Sequence, residues 1–261
     1  MCRLLAVAAR EKLQPDEFLT ALASAARHDP YLGSGGSHGD GWGMAAVSCG
    51  ELLLYKSGKP MWEDAGVSVL QQLLRSPLAM VAHVRKASHG MPRGVGAAHP
   101  FAVNLGDGGL LVVAQNGGLE VDRVLRLIGR KVSRENVDSY LYAVALAERL
   151  EETGDLAVAL EELHRELEEQ QVVTGMANTA ALLLRRAGGS WSAQLGAVKH
   201  VVDRRLATYG ELCALKNPDL FVATSITVAE NLPSELRLKP LEGNMVLVVD
   251  GESLEVESRP L

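Results

Sequence analysis

The sequence has few cysteines and no long apolar run, and each shortage excludes a class of protein. It contains three cysteines in 261 residues with no CxxC pair, which argues against a disulfide framework and favours a reducing compartment. No stretch approaches the roughly 20 apolar residues of a membrane span, and the short apolar N-terminal run lacks a signal-peptide cleavage pattern. We therefore expect a cytoplasmic protein with no membrane partner.

Clustered positive charge is also lacking. Lysine and arginine number 26 against 32 aspartates and glutamates, so the net charge is −6, and no basic block is present. Nucleic acid is therefore not an expected partner. The histidines at positions 38, 83, 89 and 99 do not have the short paired spacing of a zinc site. We expect neither a metal nor a cofactor.

Short apolar runs separated by turn residues are abundant instead. Strands are predicted at residues 2–9, 44–48, 51–57, 78–85, 109–116, 178–186, 191–198, 220–224, 244–250 and 253–258. Helical spacing predicts helices over residues 15–28, 66–76, 135–150 and 156–170. Cys49-Gly50 and Asp250-Gly251 are hairpin signals. Because hairpins outnumber the crossovers that a parallel sheet requires, we expect one α/β domain over residues 2–261 with largely antiparallel sheets.

Cys2, directly after the initiator methionine, is the first candidate for chemistry. A small second residue favours removal of Met1, which would leave Cys2 with a thiol and a free α-amine, a nucleophile and its base. The alternative is a small apolar residue in a buried strand. Three later features also have ordinary explanations: Arg85 as a solvated charge, residues 115–118 as a turn, and Asp138 as an acid at a helix N-terminus.

Taken in order, the motifs resemble the class II glutamine amidotransferases, which are N-terminal nucleophile hydrolases. The motifs are MCRLL at residues 1–5, HGDGWG at 38–43, AHVRKASHG at 82–90, AHPF at 98–101, QNGG at 115–118 and an Asp that opens a helix. The resemblance is strongest to the stand-alone branch that begins MCRLL and carries DGWG. Its motifs lie within residues 2–145, and it implies a four-layer αββα sandwich of two largely antiparallel sheets flanked by helices.

The resemblance also implies a reaction, the hydrolysis of the glutamine side-chain amide through a γ-glutamyl thioester on Cys2. The Asn116 side chain and the Gly117 backbone N–H would stabilise the oxyanion. Arg85 would bind the substrate α-carboxylate, and Asp138 would face its α-ammonium group.

Further candidates for substrate contact carry alternatives. They are Ser88, His99, Asp40 and Trp42. Trp42 is equally compatible with the core, and His99-Pro100-Phe101 is typical of a structural corner. Residues 89–98 match a segment that closes over glutamine in the family, although an ordinary surface loop would have the same composition.

Two positions depart from the family pattern, and several functions stay open. Gln115 stands where many relatives carry His, and Lys86 where synthase-linked relatives often carry Trp, so the shape of the pocket is not settled. The substrate is glutamine or a larger γ-glutamyl compound. A separate ammonia-accepting synthase is one partner to consider, and a simple amidohydrolase needs none. A catalytically inactive protein that senses glutamine or binds a partner is the rival hypothesis. The long apolar strands permit a homo-oligomer.

Overall fold

The computed structural model describes residues 2–11, 15–33, 36–133 and 136–261. Met1 lies outside the described residues, as do Glu135, where the sequence predicts the third helix to begin, and Ser34 and Gly35. The strands are β1 (Arg3–Ala9), β2 (Trp42–Ser48), β3 (Glu51–Ser57), β4 (Leu78–Val84), β5 (Phe101–Asn104), β6 (Leu110–Leu119), β7 (Val173–Ala187), β8 (Ser190–Lys199), β9 (Leu212–Lys216), β10 (Leu220–Ser225), β11 (Lys239–Pro240), β12 (Met245–Asp250) and β13 (Val256–Pro260). The helices are α1 (Pro15–Arg27), α2 (Gly66–Leu73), α3 (Val121–Arg126), α4 (Asp138–Thr153), α5 (Leu156–Glu169) and α6 (Ile226–Asn231).

The strands of the described residues form two facing sheets. One has the order β11-β9-β10-β1-β4-β2-β3 and the other β13-β12-β8-β7-β6-β5, with antiparallel neighbours throughout. Helices α1, α2 and α6 cover the outer face of the first sheet, and α3, α4 and α5 cover the second. The predicted αββα sandwich is confirmed. No helix in the described part of the chain is long and apolar enough to cross a membrane.

Strand β1 is buried on both faces, which explains its unbroken apolar run. Leu5 and Val7 pack in the cluster beneath the first helical layer, whereas Leu4 and Ala6 pack in the cluster between the two sheets. Because successive strand residues point to opposite faces, both sets have to be apolar. Alanine is the commonest residue of the inter-sheet cluster, and these alanines come from both sheets.

The two hairpin predictions had different outcomes. Cys49 and Gly50 connect β2 to β3 with φ values of 51° and 81°, as a two-residue turn requires. The Asp250-Gly251 prediction was wrong in length, because residues 251–255 separate β12 from β13. Asp250 Oδ1 accepts the N–H groups of Glu252 at 3.0 Å and Ser253 at 2.8 Å. The aspartate therefore stabilises a wider turn, and β13 begins at Val256.

The ends of several strands and the start of a helix meet at one end of the sandwich. Arg3, the first residue of β1, pairs with Val84, the last residue of β4. Strand β6 of the facing sheet terminates at the same end of the sandwich, and α4 begins there with Asp138. Four predicted site segments are thereby brought together from distant parts of the chain.

Candidate active site

Cys2 lies immediately before β1, and its backbone is held by Asn116 of β6 and by Tyr209, which precedes β9. Its N–H donates to Asn116 Oδ1 at 2.8 Å, and its carbonyl oxygen accepts from Asn116 Nδ2 at 2.7 Å. The Tyr209 hydroxyl donates to the same carbonyl oxygen at 3.1 Å. The Cys2 thiol donates to the Lys86 carbonyl oxygen at 3.8 Å. The backbone nitrogen of Cys2 is therefore fixed in place beside its own thiol.

A cavity of about 270 Å³ opens beside Cys2. The segment after β4, the end of β6 and the start of α4 form its walls. All nine candidate site residues lie in the described part of the chain, and six of them line this cavity: Cys2, Arg85, Ser88, His99, Gly117 and Asp138.

Asp138 is held at the cavity wall by backbone donors. Its Oδ2 accepts the Leu119 N–H and its Oδ1 accepts the Ser139 N–H, each at 3.0 Å. Burial raises the pKa of this carboxyl above its ordinary value, although the two N–H donors and the charge of Arg85 oppose the increase. Asp138 thus combines the predicted position at a helix N-terminus with a position in the cavity.

Arg85 joins the cavity to the glycine-rich loop at residues 89–98. Its guanidinium Nη1 donates to the Pro92 carbonyl oxygen at 2.7 Å. Met91 of the same loop lines the cavity, and the loop passes through a short 3₁₀ turn at Val95–Ala97. The loop therefore packs over the cavity and contacts the arginine that the sequence assigns to carboxylate binding.

Gly117 occupies a position that only glycine fits. Its φ of 143° lies in the left-handed region, and a Cβ there would collide with the Met176 carbonyl oxygen of the paired strand β7. The missing side chain therefore allows β7 to pair closely with β6, and Gly117 also lines the cavity.

The three remaining candidates lie away from the cavity lining. Asn116 is 1 % exposed and lies behind Cys2, in the contacts described above. Asp40 Oδ2 accepts the Ala87 N–H at 2.9 Å, and its Oδ1 pairs with Arg93 at 3.2 Å. Asp40 thus contacts both the segment after β4 and the loop at residues 89–98 without lining the cavity. Trp42 is fully buried on the helix-facing side of the first sheet, where its Nε1 donates to Asp64 at 3.0 Å. Trp42 is a core residue and not a wall of this cavity.

Sequence reasoning missed a buried charged cluster directly behind Cys2. The guanidinium of Arg3 donates to Asp29 at 2.6 and 3.0 Å and to the Tyr209 carbonyl oxygen at 2.7 Å. His38 Nε2 and the Thr227 hydroxyl also contact the Asp29 carboxylate, at 2.7 and 2.9 Å. Burial raises the pKa of Asp29, but the hydrogen bonds from His38 and Arg3 outweigh it and hold that pKa well below its usual range. An arginine inside an apolar strand was the available signal, because a buried guanidinium requires a carboxylate partner.

His99 of the cavity lining contacts a second buried histidine, His83. His99 Nδ1 and His83 Nε2 are 3.0 Å apart, and the His99 ring packs edge-on against Phe101. Burial lowers the pKa of both rings well below the ordinary value, and the nearby positive charge of Arg85 adds to this effect. His164, a buried residue of α5, is hydrogen-bonded to Tyr142 and His200, and burial lowers its pKa in the same direction.

We expect these three histidines to make the protein acid-labile. The unfolded chain takes up their protons below about pH 6.5, while the folded chain keeps the rings neutral, so stability is full above that pH and falls below it. The free energy of unfolding should fall by up to about 1.4 kcal/mol per pH unit for each ring, or about 4 kcal/mol per pH unit for the three rings. Urea unfolding at pH 7.5, 6.5 and 5.5 measures it. His164→Gln should reduce the slope by about a third, and a free energy of unfolding that is constant over this range would contradict the expectation.

Comparison with known proteins supports the resemblance on which these roles depend. The model of a family described as class II glutamine amidotransferases matches residues 1–235. No curated protein matches the chain.

Two solved structures share the fold over nearly the whole chain. The glutamine phosphoribosylpyrophosphate amidotransferase from B. subtilis, solved with ADP and GMP, is 15% identical with a TM-score of 0.60 over 99% of this chain and 49% of that chain. A structure described as the allosteric regulatory enzyme of purine biosynthesis is 15% identical with a TM-score of 0.63, with the same coverage of 99% and 49%. This chain thus spans about half the length of both. At that identity the likeness is one of fold, the N-terminal nucleophile hydrolase sandwich predicted from the motifs.

Proposed function

Since this chain belongs to the class II glutamine amidotransferases, we propose that it hydrolyses the side-chain amide of glutamine with Cys2 as the nucleophile. The observation that carries the proposal is the position of the Cys2 nitrogen, 2.8 Å from Asn116 Oδ1, beside a thiol that borders the cavity. Removal of Met1 converts that nitrogen into an α-amine. Its ordinary pKa of about 7.7–8.0 suits a base at neutral pH.

The reaction then proceeds by acyl transfer. As the Cys2 Sγ bonds to the amide carbon, the thiol proton passes to the α-amine and the carbonyl electron pair moves to oxygen. The α-ammonium returns the proton to the amide nitrogen, the carbon–nitrogen bond breaks, and ammonia leaves a γ-glutamyl thioester. Water attacks this thioester, which releases glutamate and restores the thiol.

Donors for the oxyanion come from the end of β6. The Asn116 amide nitrogen carries two N–H bonds, of which one donates to the Cys2 carbonyl oxygen. In this proposal the other N–H reaches past Cys2 to the substrate oxygen, since Asn116 lies behind Cys2 and outside the cavity lining. The Gly117 N–H is the second donor in this proposal. Such preorganised donors each contribute about 10²–10³ in rate.

The charged cavity walls account for recognition of a free amino acid. We assign the substrate α-carboxylate to Arg85 and the α-ammonium group to Asp138, with Ser88 and His99 as further contacts. The cavity volume of about 270 Å³ lies at the lower limit of small-molecule sites. This volume suits a small amino-acid substrate such as glutamine. We propose a reducing, cytoplasmic setting, in which Cys2 would keep its thiol.

Glutamate release tests the proposal directly. We expect protein whose Met1 loss has been confirmed by mass spectrometry to release glutamate from glutamine, and diazo-oxo-norleucine to add one label to Cys2. The matched control is the same chain with an uncleaved N-terminal tag, which keeps the Cys2 nitrogen acylated and should be inactive. Label without release would assign the thiol to a larger γ-glutamyl substrate. If the protein neither releases glutamate nor takes up the label, the enzyme proposal is overturned in favour of a glutamine-sensing protein.

A further inference from the structure

The buried amide nitrogen of Gln115 has no hydrogen-bond partner among the described residues. The side chain is 1 % exposed and lines the cavity. Its Oε1 accepts a hydrogen bond from the Ser139 hydroxyl at 2.8 Å, whereas Nε2 has no hydrogen-bond partner in the described part of the chain. Leaving a buried donor unsatisfied costs free energy, so such a group in a cavity indicates a ligand that completes it.

The location of Nε2 indicates which part of a ligand it meets. Gln115, Gly117 and Cys2 all line the same cavity. The proposed reaction develops negative charge in that cavity, beside the Cys2 thiol and the Gly117 backbone.

We propose that Gln115 is a further catalytic residue, whose Nε2 donates a hydrogen bond to the γ-carbonyl oxygen of the substrate as that oxygen becomes an oxyanion. Ser139 is a positioning residue, since its hydroxyl holds Oε1 and turns Nε2 toward the cavity. This inference rests on the proposed glutamine hydrolysis. It adds a third donor to those of Asn116 and Gly117. Because the Gln115 amide is neutral, it stabilises the oxyanion by a hydrogen bond and transfers no proton.

The test uses a double variant, Gln115→Met/Ser139→Ala, which removes both polar partners and so leaves neither one buried alone. We expect kcat for glutamine to fall at least about tenfold. The KM should stay within about twofold, because the contact forms chiefly in the transition state. The thermal midpoint should stay level or rise, since an unsatisfied buried donor is gone. One label from diazo-oxo-norleucine should still form on Cys2, which shows that the nucleophile has not moved.

Two further variants sharpen the result. Gln115→Glu keeps the shape of the side chain but removes the donor, so it should lose kcat as well. The matched control, Gln71→Met/Thr20→Val, removes an exposed amide–hydroxyl pair between α1 and α2, outside the cavity, and should leave kcat unchanged. A raised KM with parental kcat would assign Gln115 to ground-state binding and overturn the inference, as would an unchanged kcat. A parent protein that releases no glutamate would overturn the proposed function first, and this inference with it.

Discussion

Cys2→Ala should lower glutamate release at least about 10³-fold, to the level of the assay blank. No neighbouring group can replace the thiol in forming the thioester, and the α-amine of this variant would have no thiol proton to accept. Glutamine should still bind, because Arg85 and Asp138 are untouched, and calorimetric titration measures that affinity. Cys2→Ser, which keeps a hydroxyl of similar size, should also be strongly impaired, since a hydroxyl is a far weaker nucleophile than a thiolate.

The other two thiols provide the controls for this result. Cys49 is exposed on the turn between β2 and β3, and Cys49→Ala should keep full activity and full labelling at Cys2. Cys213 is buried in β9, where burial raises the pKa of its thiol to about 11, so it stays protonated and unreactive at neutral pH. Release of glutamate by Cys2→Ala at a rate near that of the parent would refute the role of Cys2.

Much of the candidate site was predictable because its residues stand next to the ends of regular elements. Cys2 precedes an apolar strand, Arg85 follows one, Gly117 lies near the end of a third, and Asp138 opens a helix. Each of these has a local signal, and the order of the motifs along the chain assigned them to one family. The structure adds that these element ends meet at one end of the sandwich.

What could not be predicted depends on contacts between distant segments. Both faces of β2 are buried, so alternation of apolar and polar residues does not reveal which face Trp42 takes. Register decides it, and the register places Trp42 toward the helices. Strands β5, β9 and β11 and helices α3 and α6 were also missed, because segments of two to six residues are too short for a clear period. Asp29 is separated from Arg3 by the whole of α1, and the sequence around either residue does not indicate that the two are paired.

The pair of Arg3 and Asp29 also leads to the largest expected effect on stability. Both side chains are fully buried, so Asp29→Asn leaves a guanidinium in the core without its counter-charge. Breaking a buried pair in this way costs about 3–5 kcal/mol, a large share of the roughly 5–15 kcal/mol that stabilises a typical domain. Urea unfolding at pH 7 measures the loss. Asp203→Asn, which breaks the exposed pair with Arg205, is the matched control and should leave the free energy of unfolding unchanged.

Two further measurements separate charge from packing in the Asp29 result. The folded-state pKa of Asp29 is depressed, so its contribution is present above the unfolded value and is lost as the pH falls through the folded value. The difference between parent and Asp29→Asn should therefore shrink below about pH 4. The apolar pair Arg3→Met/Asp29→Leu should recover most of the stability but not the activity, because Arg3 also holds the Tyr209 carbonyl and Tyr209 holds Cys2. If the double variant is no more stable than Asp29→Asn, the cost lies in packing around Asp29 and not in the unpaired charge of Arg3.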